Sequence, residues 1–117
     1  MRWDLDQVAE PIAYKLLAAT VMPRPIAWVV TQNKQGNLNA APYSFFNVMG
    51  SAPPTIVLGL MADPARGFKD TAANILATGE FVVNLVPEAL VQQMNTTAVD
   101  APTGVNELDL AGLETLP

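Results

Sequence analysis

Two prolines, Pro23 and Pro25, stand directly ahead of an apolar, β-branched run, Ile26 to Thr31, in "MPRPIAWVVT". Proline fixes φ, lacks an amide donor and biases the residue before it toward extended backbone, so no helix continues through this stretch. The run itself reads as a buried strand. "QNKQGNLN" follows, and Gly36-Asn37 supplies a hairpin turn into a second strand around residues 38–43.

Residues 11–20, "PIAYKLLAAT", predict a short helix with Pro11 in its first turn and Ile12, Leu16 and Leu17 on one face. "APYSFFNVMGSAPP" (41–54) crowds aromatics, small polar residues and prolines, and is expected to be a loop. "TIVLGLM" (55–61) predicts the third strand, and "ADPARGF" a loop. Asp70 or Thr71 is placed to cap a helix whose inward positions would be Ala72, Ile75 and Leu76, with Gly79 as its left-handed C-terminal cap. "EFVVNLV" (80–86) predicts a fourth strand, and Pro87 opens a short helix through Met94. Strands joined by tight turns come first and helices later, which favours an antiparallel barrel or sheet with peripheral helices over a doubly wound sheet. No strand–helix junction carries G-x-G-x-x-G or a P-loop. From "DAPTGVNELDLAGLETLP" onward the strand pattern stops, so open sheet edges are expected.

Composition narrows the chemistry. A chain of 117 residues supports one small domain, here 1–117. Half the residues are hydrophobic and 15% are charged, a globular balance. The net charge of −5 argues against a nucleic-acid partner. Apolar runs fall short of the roughly 20 residues that span a bilayer. The acidic start "MRWDLDQVAE" is not a secretory signal, so a soluble cytoplasmic protein is expected. Arg2, Lys15, Arg24, Lys34, Arg66 and Lys69 are all the cations, and from Asp70 onward there are seven acids and no base. A phosphate held by a side-chain cation must therefore be held by the first part of the chain. Histidine and cysteine are absent, which removes thiol nucleophiles, Ser-His dyads and the usual zinc and haem ligands. No metal site is expected. By elimination, an enzyme of this composition takes its reactive group from a bound cofactor.

Two stretches carry candidate chemistry. In "GFKDTAANI" (67–75) a helix start offers unsatisfied amides and a positive dipole end to an anion, Lys69 adds a charge and Thr71 a hydroxyl. The plainer alternative is a capped surface helix with a solvated lysine. In "PYSFFN" backbone amides sit among rings, and with Trp28 they could wall an aromatic cofactor. The alternative is that Phe45, Phe46 and Trp28 are simply core. Arg24, stiffened between two prolines, either aims at an anion or lies on the surface.

Taken in order, "PRPIAWVVT", "NLNAAPYSFFN", "PPTIVLGL", "KDTAANI" and "GEFVVNLV" resemble the flavin reductase-like family of FMN-binding split-barrel proteins, from about Tyr14 to Leu113. The resemblance implies a split β-barrel, a homodimer, bound FMN, and hydride transfer from NAD(P)H to flavin. It names no catalytic residue, which suits a chain without histidine or cysteine. By position it implies that Tyr43, Ser44, Phe45, Phe46 and Asn47 line the ring and ribityl chain. Lys69, Asp70 and Thr71 would bind the phosphate end, Arg24 and Thr31 would complete the polar contacts, and Ser51 would add a hydroxyl. Members often carry serine where Gly50 stands here, and typically continue well past Pro117 with strands that close the barrel. Two other readings stay open: a flavin-binding or electron-carrying module without turnover, and an inactive truncated homologue with a structural or dimerising role.

Overall fold

A computed structural model describes residues 1–116, so Pro117, the last residue of the expected domain, lies outside the described residues. The chain begins with a 3-10 turn at Leu5–Gln7 and helix α1 at Glu10–Thr20. Strands β1 (Ala27–Gln32), β2 (Leu38–Tyr43), β3 (Phe46–Ser51) and β4 (Pro54–Leu58) follow without an intervening helix. Then come α2 (Asp70–Thr78), β5 (Val82–Asn84), a 3-10 turn at Glu88–Leu90, α3 (Val91–Thr96) and α4 (Glu107–Ala111). The strands form two antiparallel sheets, β2-β1-β5 and β3-β4. The expected mainly β architecture with peripheral helices is what forms.

β1 and β2 pair over their full length, from Ala27 opposite Tyr43 to Gln32 opposite Leu38. The turn closes through Asn33, whose amide donates to the Asn37 carbonyl at 2.9 Å and whose side chain accepts the Gln35 and Asn37 amides. Gly36 supplies the φ of 88° that the turn needs. Ala27, Trp28 and Val29 are buried, and with Ala40, Ala72, Met94 and Leu108 they make the core. Trp28 is core, as the plainer reading has it, and its indole donates to Thr97 Oγ1 at 2.9 Å.

Several local expectations need correction. Residues 41–54 are not a loop: only Ser44 and Phe45 bend, and Phe46–Ser51 forms β3, paired with β4 through a turn at Ala52-Pro53. Pairing supplies what composition hid, because an Asn- and Gly-containing segment becomes a strand when a partner satisfies its backbone. The third and fourth predicted strands are shorter than expected, at Pro54–Leu58 and Val82–Asn84. Lys69, not Asp70 or Thr71, is the N-cap residue of α2, and no side chain bonds there. Leu76 faces outward at 71% exposure, and no residue of α1 is buried. Gly79 does close α2 in the left-handed conformation, with φ 77°.

Candidate functional site

Residues Asn39, Ala41 and Tyr43 alternate along β2 and so share one face. That face forms one wall of a recess of about 190 Å³. The opposite wall is the start of α2, with Lys69, Asp70 and Thr71, and the roof is the loop from Thr97 to Thr103. Arg66 and Phe68 stand at its edge.

Arg66 is placed by a tight turn. Asp63 and Gly67 exchange backbone hydrogen bonds at 2.8 and 2.7 Å, and Asp63 Oδ1 accepts the amides of Ala65 and Arg66. Those two amides, more than the guanidinium, hold the Asp63 carboxyl below its ordinary range. Gly67 takes φ 77°, so "DPARG" folds back and sends the chain toward α2.

At the start of α2 the first backbone bond returning into the helix is Ala73 N to Lys69 O at 3.0 Å. The amides before it carry no side-chain cap, the condition that makes a helix start attract anions. Asp70 does not cap the helix; its Oδ2 accepts from Gly104 N at 2.8 Å and ties the roof loop down. Both cations at the rim lean on Asp100 in that loop, Arg66 Nη2 at 2.6 Å and Lys69 Nζ at 3.5 Å. Arg66 accordingly holds the Asp100 carboxyl below, and is itself held above, its ordinary range.

Beneath the recess lies a buried polar network. Thr71 Oγ1 donates to Asn39 Oδ1 at 2.7 Å, and Asn39 Nδ2 donates to Glu107 Oε2 at 2.9 Å. Glu107 Oε2 also accepts from Ala40 N at 3.1 Å. Thr31 joins at the β1 side, donating to Asn39 Oδ1 at 3.5 Å and accepting from Asn74 Nδ2 at 3.0 Å. Burial pushes the Tyr43 phenol above its ordinary pKa, and the neighbouring Thr71 hydroxyl offsets part of that rise.

The predicted site residues thus fall into separate groups. Tyr43, Lys69, Asp70 and Thr71 share the recess. Arg24, Ser44 and Phe45 form a neighbouring cluster just beyond Tyr43. There Arg24 Nε donates to Ser44 Oγ at 3.4 Å and its guanidinium sits 5.5 Å from the Phe45 ring centre. Arg24 Nη1 is held by the carbonyls of Ala18 and Val21, both at 2.7 Å, at the C-terminal end of α1. Tyr14 packs on Phe45 from α1 with ring centres 6.0 Å apart. Lys69 and Ser44 do not line one recess; Tyr43 is the link between their groups. Phe46 and Asn47 open β3, half-buried and exposed respectively. Ser51 ends that strand, about 16 Å further along by strand rise, and is exposed. Thr31 is only 2% exposed and belongs to the network rather than the recess wall.

The flavin reductase like domain matches residues 19–117. The chain belongs to this family. This flavin reductase-like chain is 47% identical to an uncharacterized protein of Deinococcus radiodurans over 120 residues, covering 98% of this chain and 52% of that one. It is 43% identical over 111 residues to the uncharacterized protein YwrF of Bacillus subtilis, covering 95% of this chain and 54% of that one. The chain therefore spans about half the length of these relatives. Among solved structures it resembles nitrilotriacetate monooxygenase component B from Bacillus cereus, with TM-score 0.87 and 37% identity over 96% of this chain and 55% of that one. It also resembles 2-nitrobenzoate 2-nitroreductase NbaA from Pseudomonas fluorescens, with TM-score 0.83 and 33% identity over 100% of this chain and 55% of that one. A Shewanella frigidimarina structure with a split barrel domain, 22% identical at TM-score 0.75, shares the fold.

Sequence reasoning passed over Arg66, Asn39, Glu107 and Asp100 in this flavin reductase-like chain. Arg66 had a readable cue, a second cation three positions before Lys69 in a turn-forming segment. Asp100 and Glu107 had none, because they reach the recess from across the fold.

Proposed function

We propose that the chain, read as one domain over 1–117, binds FMN and serves as a flavin-dependent oxidoreductase that takes hydride from NAD(P)H. In this reading it is cytoplasmic and homodimeric. The observation that carries it is the uncapped start of α2 opening into a recess with Lys69 and Arg66 at its rim. Family membership and the two similar structures, by title a monooxygenase component and a nitroreductase, support the reading.

The donor set suits the mononucleotide's tail. A phosphate monoester seeks backbone amides and cations, and Lys69, Arg66 and the first amides of α2 are of that kind. At about 190 Å³ the recess is smaller than the roughly 300 Å³ at which small-molecule pockets begin, so it takes the tail and not the whole ligand. Tyr43 and Ser44 lead out of the recess toward Phe45, Phe46 and Asn47, which are assigned to the ring and ribityl chain. When bound, the flavin itself supplies the hydride-accepting centre. The chain's own residues bind and orient: Thr71 is fixed by Asn39, Asn39 by Glu107, and Arg24 holds the bend at Ser44 and Phe45 against α1. Thr31 acts through the network beneath the recess and Asp70 through the roof loop, while exposed Ser51 offers a hydroxyl at the far end of β3.

Flavin fluorescence titration tests this. The parent chain is expected to bind FMN more tightly than riboflavin, which lacks the phosphate. Lys69→Ala should weaken FMN by about tenfold, the size of one charge-assisted contact, and leave riboflavin unchanged. Equal affinity of the parent for both flavins would remove the recess from the site. Steady-state NADH or NADPH oxidation with FMN then separates an oxidoreductase from a non-catalytic flavin carrier.

A further inference from the structure

Asp100 presents an arrangement that the binding role of the recess does not explain. Its two carboxylate oxygens are divided between the two rim cations, Oδ2 on Arg66 at 2.6 Å and Oδ1 on Lys69 at 3.5 Å. All three side chains line the recess that the α2 start opens into. The carboxylate therefore holds the rim cations that an incoming phosphate would need. It is not a structural ion pair of the interior: the Asp100 side chain is 62% exposed and its partners 55%. Such pairs contribute little to folding. The roof loop has a separate anchor in any case, Gly104 N on Asp70 Oδ2 at 2.8 Å.

We propose that Asp100 is an internal competitor for the ligand's phosphate, a carboxylate that occupies the Arg66–Lys69 pair and yields it only to a more highly charged anion. This rests on the FMN reading and deepens it by naming what sets selectivity at the phosphate end. A phosphate monoester carries about −1.5 to −2 at neutral pH and offers three acceptor oxygens, so it outbids a single carboxylate for two cations. A ligand ending in a carboxylate gains nothing by the exchange. Asp100 thus lowers the affinity for FMN and excludes weaker anions from the recess.

The test uses the full chain, with FMN and riboflavin titrated at low salt into the parent, Asp100→Asn, and the double variant Lys69→Ala/Asp100→Asn. Asp109→Asn, an exposed position on α4, makes the same change in net charge elsewhere. Asp100→Asn is expected to tighten FMN about three- to tenfold, the range for releasing two exposed ion pairs, with riboflavin unchanged. Asp109→Asn should move FMN by less than about twofold, and the gain from Asp100→Asn should shrink when Lys69 is absent. Unchanged or weaker FMN binding in Asp100→Asn, with riboflavin constant, overturns the competition. So does loss of both flavins together, which would make Asp100 a support of the loop. Asp100→Ala provides a second variant should the asparagine fail to fold. A parent with no preference for FMN over riboflavin defeats the underlying reading first, and is distinguishable because it appears before any variant is made.

Discussion

Gly59 shows how little room the aromatic bend has. A Cβ there would lie 2.9 Å from the Phe45 Cβ, closer than real side chains approach. The Gly59 amide also donates to the Phe45 carbonyl at 2.7 Å, so neither backbone can retreat without losing that bond. Gly59→Ala is therefore expected to push Phe45 away from Arg24 and Tyr14 and to cost about 1–3 kcal/mol, measured by urea unfolding. A change within 0.5 kcal/mol would show that the bend is loose. Tyr43 makes a second residue-level case. Its folded pKa is raised, so the folded chain holds the phenol proton more firmly than the unfolded chain. The stability this contributes is complete below the ordinary phenol value of about 10 and is lost as pH rises through the higher folded value. Unfolding followed from pH 9 to 11 should show a steeper alkaline loss for the parent than for Tyr43→Phe, and parallel curves would refute it.

At the scale of elements, α4 is joined to β2 through one carboxylate. Glu107 Oε2 accepts from both Asn39 Nδ2 and Ala40 N, and Glu107 is only 6% exposed. Glu107→Ala orphans two donors, at about 1–3 kcal/mol each, whereas Glu107→Gln keeps an acceptor and should cost less. Urea midpoints of the two variants check this, and equal losses would mean that packing and not hydrogen bonding docks α4. The elements that sequence reasoning placed well are those whose cause is local. Pro23 and Pro25 bar a helix, Gly36 turns the hairpin, and Gly79 ends α2, each by its own backbone preference. β3 was hidden because its cause lies in β4: "FNVMGS" has no strong strand character until the partner pairs with it. The α2 cap was misassigned for a similar reason. The Thr71 hydroxyl that would have capped the helix is taken by Asn39, 32 positions earlier in the chain. The recess followed the same division, with Lys69 legible from its helix start and Asp100 visible only once the roof loop folds over.

The whole molecule is more open than its length requires. Its radius of gyration is 15.8 Å, against about 13 Å for a compact chain of this size. The β3–β4 ribbon explains part of this, with Val48, Met49, Ile56 and Val57 all exposed. On the other sheet a groove of about 1220 Å³ runs beside β5, lined by Trp28, Phe81, Leu85, Leu90, Leu108 and Leu113 among others. β5 is an edge strand, and Leu85 just beyond it is 82% exposed. Apolar surface of this kind binds hydrophobic dyes and draws chains together. The chain by itself is expected to enhance ANS fluorescence at neutral pH while keeping a native near-ultraviolet circular dichroism spectrum, which separates surface exposure from a molten state. Its sedimentation should depend on concentration. Leu85→Lys should reduce the dye signal and the association together, yet shift unfolding by no more than about 0.5 kcal/mol, because so little of that side chain is buried. Strong destabilisation would place Leu85 in a packed core, and an unchanged dye signal would move the exposed surface away from the β5 groove to the β3–β4 ribbon.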